Sequence, residues 1–69
     1  MRVSARNKLP GLVQDIKTDG LMAKVSVRIG DNHLVALITA EAASEMGLKV
    51  GDEVTALIKS TSVLLAKAD

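Results

Sequence analysis

The order of secondary structure is clearest in residues 21–47, which read LMAKVSVRIGDNHLVALITAEAASEMG. Residues 21–29 alternate apolar and polar side chains, a pattern that predicts a strand with one buried face. Gly30–Asn32 then predicts a hairpin connection. Residues 34–39 predict a returning strand whose two faces are both apolar.

A short helix is predicted directly after this hairpin. Thr39 is a suitable N-cap residue, and residues 40–46 are mostly good helix formers. Glu41 places a negative charge in the first turn, where the helix dipole favours it. Gly47 can adopt the left-handed conformation that commonly ends a helix.

Further strand patterns lie on both sides of this central segment. One long strand is predicted over Val3–Ile16, with Pro10–Gly11 marking a bulge or bend at a sheet edge. The fourth and fifth strands are predicted over Glu53–Lys59 and Ser62–Ala66. Five strands with one short helix between the third and fourth is the order of an OB-type barrel. We therefore predict an all-β fold with one short helix, as a single domain over residues 1–69.

The composition predicts an oligomer. The chain has 69 residues, 48% of them hydrophobic, and contains no Phe, Tyr, Trp or Cys. A domain of this size buries only about 60% of its unfolded surface and usually needs a disulfide, a metal or a partner subunit. Because Cys is absent, disulfides and thiolate metal sites are excluded. The single histidine, His33, cannot form a metal site alone. We expect a large aliphatic interface between subunits.

Charge and hydropathy argue against two classes of partner. The net charge of +1, with the two signs interspersed, gives little attraction toward a polyanion such as DNA. No apolar run approaches the roughly 20 residues that span a bilayer. The basic N-terminal residues are not followed by an apolar stretch, so no signal peptide is recognised. We expect a cytoplasmic protein that binds neither membranes nor nucleic acid.

The sequence lacks the usual constellations of catalytic residues. It contains no Cys, a single His, no Ser in a Gly-x-Ser-x-Gly setting, and no Gly-rich phosphate loop. Its carboxylates are scattered through turns, the helix and the C-terminal residues, which is typical of solvated surface acids. We therefore expect no enzymatic activity.

Two polar clusters stand out, Ser4–Asn7 and Lys59–Ser62. Each places at least one hydroxyl group near a cation, and neither contains a carboxylate. A tetrahedral dianion offers only acceptor oxygens, so a site made of donors suits it. Phosphate at neutral pH retains a proton and would gain from an acceptor, so the clusters favour molybdate, tungstate or sulfate if they converge. Both are also compatible with ordinary surface turns, where these residue types are common.

The chain resembles the molbindins, the small Mop-type molybdate-binding proteins, from Val3 to Leu65. The resemblance is most specific in the Ser-Ala-Arg-Asn opening, followed by a Lys-Ser step before the last predicted strand. The other segments that carry it are Gly11, Ala23–Val25, Ile38–Ala42, Met46–Gly51 and Ala56–Thr61.

The resemblance implies a five-stranded OB-like barrel, with strand-exchanged dimers that assemble into a hexamer. It also implies intracellular storage and homeostasis of molybdate or tungstate, bound between subunits. The implied oxyanion ligands are Ser4 and Arg6 of one subunit, with Thr39, Lys59 and Ser60 of a neighbour. For a second class of site, near a three-fold axis and made of main-chain N–H groups, the candidates are Gly20, Leu21 and Met22.

The alternative is a small DNA-binding regulator, either a swapped-hairpin protein of the AbrB type or a nucleic-acid-binding OB-fold. Residues 47–54 read GLKVGDEV, a turn that AbrB-type sequences also use. OB-folds of this kind stack bases on aromatic side chains, which this chain lacks. A DNA-binding face should also cluster its basic residues, whereas the Lys and Arg residues here are dispersed. A third possibility is a structural assembly module without a ligand.

Overall fold

The structure, a computed structural model, describes residues 3–68. Four strands form one antiparallel sheet, and a single helix lies between the third and fourth strands. In chain order the elements are β1 (Asn7–Asp19), β2 (Met22–Ile29), β3 (Asn32–Thr39), α1 (Ala40–Met46) and β4 (Glu53–Ile58). Across the sheet the strands follow the order β3-β2-β1-β4. The prediction of a mainly β fold with one short helix is confirmed.

Two tight hairpins build the centre of the sheet. Gly20–Leu21 joins β1 to β2, and Gly30–Asp31 joins β2 to β3. Gly20 and Gly30 both have φ of 61°, and none of the described non-glycine residues has positive φ. A glycine with positive φ at the first position alone is the signature of a type II′ turn, whose twist matches that of the flanking strands. The predicted hairpin after the second strand is confirmed.

The core lies on the inner face of the sheet. Ala23, Val25 and Val27 of β2 are buried. Of the residues that alternate with them, Lys24 and Arg28 are exposed and Ser26 is half-buried. The alternation predicted for this strand is therefore confirmed. The remaining core residue is Val13 of β1, and the side chains packed around it are Ile16, Ile29, Leu34, Ala36, Ile38, Leu48 and Val54.

The long strand β1 begins and bends later than predicted. It spans Asn7–Asp19 instead of Val3–Ile16, and its register against β2 shifts between Val13 and Asp15. The predicted irregularity at Pro10–Gly11 is wrong, because the pairing with β4 runs regularly through both residues. Pro10 is tolerated there because pairing with β2 begins only at residue 12. The first half of β1 therefore has a strand on one side only, as at a sheet edge.

Gly11 of β1 lies tightly against the end of β2. A Cβ atom on Gly11 would lie 2.6 Å from the carbonyl oxygen of Arg28 and 2.7 Å from Cγ1 of Val27. Glycine is therefore required here for space, since no side chain fits between the two strands. This contact accompanies the curling of the sheet into a half-barrel.

The helix begins and ends at the predicted residues. Oγ1 of Thr39 accepts a hydrogen bond of 3.0 Å from the N–H of Ala42, as an N-cap does. Gly47 is left-handed, and its N–H and that of Leu48 return to carbonyls of the last turn, forming a Schellman motif. The helix has seven residues, and within the described chain no helix is long and apolar enough to cross a membrane.

The predicted fifth strand over Ser62–Ala66 is wrong for this chain taken alone. Ser60–Ser62 form a 3₁₀ turn, and no strand is assigned after it in the described residues. The segment 63–68, here called the C-terminal arm, leaves Leu64 and Leu65 93% and 95% exposed. A strand requires a hydrogen-bonded neighbour, and the arm does not fold back onto the sheet of its own chain.

An apolar cavity of about 150 Å³ remains open at the inner face of the half-barrel. Side chains from β2, β3 and β4 line it, together with Met46 and Leu48 at the end of the helix. The lining thus includes side chains of both edge strands of the sheet, β3 and β4.

Candidate functional site

The pairing of β1 with β4 brings the two polar clusters together. Asn7 is the first residue of β1 and lies opposite Ile58, the last residue of β4. Arg6 and Lys59 are the next residues outward from this pair. Because antiparallel strands place the start of one beside the end of the other, both cations leave the sheet at the same point.

A side-chain hydrogen bond reinforces this junction. Nδ2 of Asn7 donates to the carbonyl oxygen of Ile58 at 3.2 Å, across 51 positions of sequence. Asn7 is half-buried, whereas Arg6 and Lys59 on either side of the junction are exposed. The asparagine of the Ser-Ala-Arg-Asn cluster therefore turns toward the protein while the arginine faces solvent.

A shallow depression lies beside this junction. The residues that line it are Ser4, Arg6, Lys59, Ser60 and Thr61. They supply two cations and three hydroxyl groups, and no carboxylate is among them. Such a surface can donate hydrogen bonds and balance negative charge at several points around one small anion.

A second depression adjoins the first along the N-terminal segment. Its lining residues are Val3, Ser4, Ala5, Arg6 and Lys8. Ser4 and Arg6 thus contact both depressions, and Lys8 adds a third cation nearby. Arg6, Lys8 and Lys59 thus place three positive charges at this end of the sheet.

The structure brings together, within one chain, candidate ligands that the resemblance assigns to two subunits. Lys59 and Ser60, expected from a neighbouring subunit, line the same depression as Ser4 and Arg6 of their own chain. The register of β1 against β4 explains this, because it joins the two clusters within one chain. Four of the five expected ligands therefore lie together without a second subunit.

Thr39 lies elsewhere. It is the last residue of β3, opposite Met22, and is absent from the lining of the depression. Its oxygen accepts the hydrogen bond from Ala42 that caps the helix. A threonine hydroxyl that accepts through its oxygen still carries a proton to donate, so the capping bond leaves the donor capacity of Thr39 intact.

The candidates for a second site lie next to Thr39. Gly20 and Leu21 form the tip of the β1–β2 hairpin, and Met22 begins β2. The N–H of Ala40 donates to the carbonyl oxygen of Leu21 at 2.8 Å, which ties this hairpin to the start of the helix. The structure therefore places Thr39 with the second-site candidates.

Thr61 also lines the depression, although the sequence interpretation left it without a role. It belongs to the Lys59–Ser62 cluster, but a plain connection into a fifth strand gave no reason to single it out. The 3₁₀ turn at Ser60–Ser62 brings it to the depression. The feature of the sequence that could have indicated Thr61 was its hydroxyl group, within a cluster that contains no acidic residue.

The lone histidine lies apart from these groups. His33 is exposed on β3, opposite Arg28. Among residues 3–68, no group of three histidine or carboxylate side chains is placed to hold a metal ion.

Comparisons with known proteins place the chain in a family. Residues 3–65 match the TOBE domain. Molybdenum-pterin-binding protein 1 of Clostridium pasteurianum is 41% identical over 66 residues, which cover 94% of this chain and 97% of that protein. MopB of Rhodobacter capsulatus, also a molybdenum-pterin-binding protein, is 46% identical over 69 residues. That match covers 99% of this chain but 26% of MopB, so the chain spans about a quarter of that relative.

A solved structure shows the same fold. The molybdate-binding protein of Sporomusa ovata superimposes with a TM-score of 0.93 at 39% identity, covering 97% of this chain and all of the other. The family match spans nearly the whole chain, and the sequence and structural relatives agree. The chain belongs to the TOBE domain family, within the group of Mop-type molybdenum-pterin-binding proteins.

Proposed function

We propose that this protein binds molybdate or tungstate as free oxyanions for storage and homeostasis in the cytoplasm, and that it catalyses no reaction. The observation that carries the proposal is the depression beside the β1–β4 junction, which is lined by two cations and three hydroxyl groups without a carboxylate. The likeness to a solved molybdate-binding protein over nearly the whole chain supports the same ligand.

Each lining group has a distinct part in holding a tetrahedral oxyanion. The planar guanidinium of Arg6 forms two parallel charge-assisted hydrogen bonds to a pair of anion oxygens. The ammonium of Lys59 acts as a mobile point charge that balances the second negative charge. The hydroxyl groups of Ser4, Ser60 and Thr61 donate to the remaining oxygens and fix the orientation of the anion.

Selectivity against phosphate follows from the absence of a carboxylate among the residues that line the depression. Molybdate and tungstate are fully deprotonated near neutral pH, whereas hydrogen phosphate keeps one O–H group. The lining cations cannot accept that O–H, and the neutral serine and threonine hydroxyls accept it more weakly than a carboxylate would. Phosphate therefore loses part of the hydrogen bonding that its O–H had in water, which carries a desolvation cost. Charge and shape are nearly equal for molybdate and tungstate, so the site binds both.

The active form of the protein is a strand-exchanged dimer. The C-terminal arm of one chain enters the open cavity of a second copy, between β3 and β4, and becomes the fifth strand of the OB-like barrel there. Two observations support this, the apolar lining of the cavity and the near-complete exposure of Leu64 and Leu65. Burying one leucine side chain stabilises the assembly by about 1.5–3 kcal/mol.

Three such dimers form a hexamer. Val35 and Leu37 on the outer face of β3 are 58% and 65% exposed, and strand exchange at the inner face leaves them uncovered. Assembly also brings Thr39 of a neighbouring subunit to the oxyanion in the depression. The hairpin residues Gly20–Met22 offer main-chain N–H groups to a second class of anion between subunits.

Calorimetric titration with molybdate, repeated in excess sulfate and in excess phosphate, tests the proposal. The expected result is binding that survives both competitors. Arg6→Ala should weaken it by about 10- to 100-fold, because a hydrogen bond to a charged group contributes about 1.5–3 kcal/mol. Arg28→Ala is the matched control, since Arg28 is an exposed arginine on β2 that does not line the depression.

Two results would contradict the proposal. The first is the absence of both binding heat and a rise in melting temperature with molybdate or tungstate. A ligand that binds only the folded state must raise its stability by mass action, by about 2.7 kcal/mol at a hundredfold excess over Kd. The second is equal affinity in Arg6→Ala and Arg28→Ala, which would place the anion elsewhere.

A further inference from the structure

One polar side chain lies at the centre of the donor set without lining the depression. Asn7 follows Arg6 directly, yet it is half-buried where the residues lining the depression are exposed. Its amide Nδ2 donates to the carbonyl oxygen of Ile58 at 3.2 Å. This bond joins the first residue of β1 to the last residue of β4.

We infer that Asn7 is a positioning residue of the oxyanion site, which acts through Arg6 and Lys59 without touching the anion. This inference rests on the function proposed above. In the sequence, Arg6 directly precedes Asn7, and Lys59 directly follows Ile58. Fixing that pair sets the separation between the two cations before the ligand arrives.

The junction needs such a bond for two physical reasons. Strand ends fray, because their outermost residues lack a neighbour on one side. In addition, the free site holds Arg6 and Lys59 on converging segments with no carboxylate among the lining residues. Their mutual repulsion favours separation of the two segments when no anion is bound. A hydrogen bond at the terminal pair opposes both effects.

Asparagine is the residue type that suits this position. The carbonyl oxygen of Ile58 requires a donor, which excludes an ionised carboxylate. A carboxylate would also place a negative charge beside the anion, and a lysine or arginine would add to the repulsion between the cations. A short, neutral amide satisfies the carbonyl without changing the charge of the site.

The test compares two variants that each remove one side-chain hydrogen bond to the backbone. Asn7→Ala removes the bond to Ile58. Asp52→Ala is the matched control, because it removes the 3.0 Å bond that Oδ2 of Asp52 accepts from the N–H of Lys49, in a turn outside the depression. For each variant the melting temperature without ligand and the Kd for molybdate are measured, the Kd well below the melting transition.

The expected result is a separation of affinity from stability. Asn7→Ala should weaken molybdate binding about tenfold, the scale on which supporting partners of ligand residues act. Asp52→Ala should lower the melting temperature and leave Kd at the wild-type value. Asn7→Leu keeps a side chain of similar size but has no hydrogen-bond donor. It should weaken binding as much as Asn7→Ala does, even if its melting temperature equals that of the wild type.

A double-mutant cycle with Arg6→Lys separates positioning from direct contact. If Asn7 acts through Arg6, its removal should cost less affinity in the Arg6→Lys background than in the wild type, since coupled residues are not additive. Additive losses would overturn the positioning role in favour of direct contact. Unchanged affinity in Asn7→Ala, or an equal loss in Asp52→Ala, would overturn it too. A wild-type protein that binds no molybdate would instead remove the proposed function itself.

Discussion

Gly11 shows how one residue can have a role that its sequence context conceals. Beside Pro10, a glycine suggests a turn or a bulge. In the structure it lies in a regular part of β1 and leaves room for the carbonyl oxygen of Arg28 and the side chain of Val27. Its importance comes from a neighbour on another strand, so it could not be read from the residues around it.

We predict that Gly11→Ala lowers the free energy of unfolding by about 1–3 kcal/mol, the usual cost of forcing extra atoms into a packed site. The added Cβ would lie 2.6 Å from a backbone oxygen, which cannot move aside as a flexible side chain can. Thermal or urea unfolding measures the effect. Gly20→Ala is the comparison, because a Cβ there meets no atom within 4 Å and its strain comes from positive φ alone. A Gly11→Ala protein as stable as the wild type would show that the sheet opens readily.

At the level of elements, the sequence predicted what depends on local signals. Thr39 and Gly47 bound the helix through hydrogen bonds within four residues, and alternation along β2 is visible in the residues themselves. The shift in register between Val13 and Asp15 was missed, because it depends on the pairing partner. The predicted fifth strand also failed because its existence requires a partner strand, and the described residues of the same chain provide none.

The candidate site, like the fold, was only partly predictable from the sequence. Each polar cluster was visible in the sequence as a set of donors without acids. Their convergence depends on the pairing of Asn7 with Ile58, across 51 positions, and no local pattern reports a contact of that span. The sequence therefore indicated the ligand chemistry, while the fold determined which donors share one depression.

Substitutions of Thr39 can distinguish its role as helix N-cap from its proposed role as an oxyanion ligand. We predict that Thr39→Ala lowers stability by about 1 kcal/mol through loss of the N-cap and also weakens molybdate binding, because the hydroxyl donates to an anion held by a neighbouring subunit. Thr39→Ser keeps a hydroxyl that can both cap and donate, and should retain most of both properties. Melting curves and calorimetry measure the two effects. A Thr39→Ala variant with lower stability and unchanged Kd would restrict Thr39 to capping.

At the scale of the whole molecule, the open apolar cavity and the exposed apolar arm both support the proposed strand exchange. An inner face lined by aliphatic side chains is not satisfied by one chain of this size, and the sequence already predicted oligomers from its composition. In the proposed strand exchange, the added strand lies between β3 and β4, whose side chains line the open cavity. The arm has the apolar character that this position requires.

We predict that Leu64→Asp shifts the protein toward smaller species, because strand exchange would bury an unpaired carboxylate in the apolar cavity of the partner. Light scattering coupled to size-exclusion chromatography measures the mass. Val50→Asp is the control, since Val50 is 63% exposed in the turn before β4 and lies outside both the arm and the cavity. An unchanged mass for Leu64→Asp would rule out the arm as the exchanged element.

The bond between Asn7 and Ile58 also has a consequence for the kinetics of folding. The β1–β2 and β2–β3 hairpins close through two-residue loops, and hairpins form in about 1–10 μs. Docking of β4 onto the start of β1 must close a much longer loop, whose entropic cost delays it. The depression comes into existence with this late event, so an anion can recognise the chain only after its most distant residues have met. Binding thus reports on the completion of the native topology.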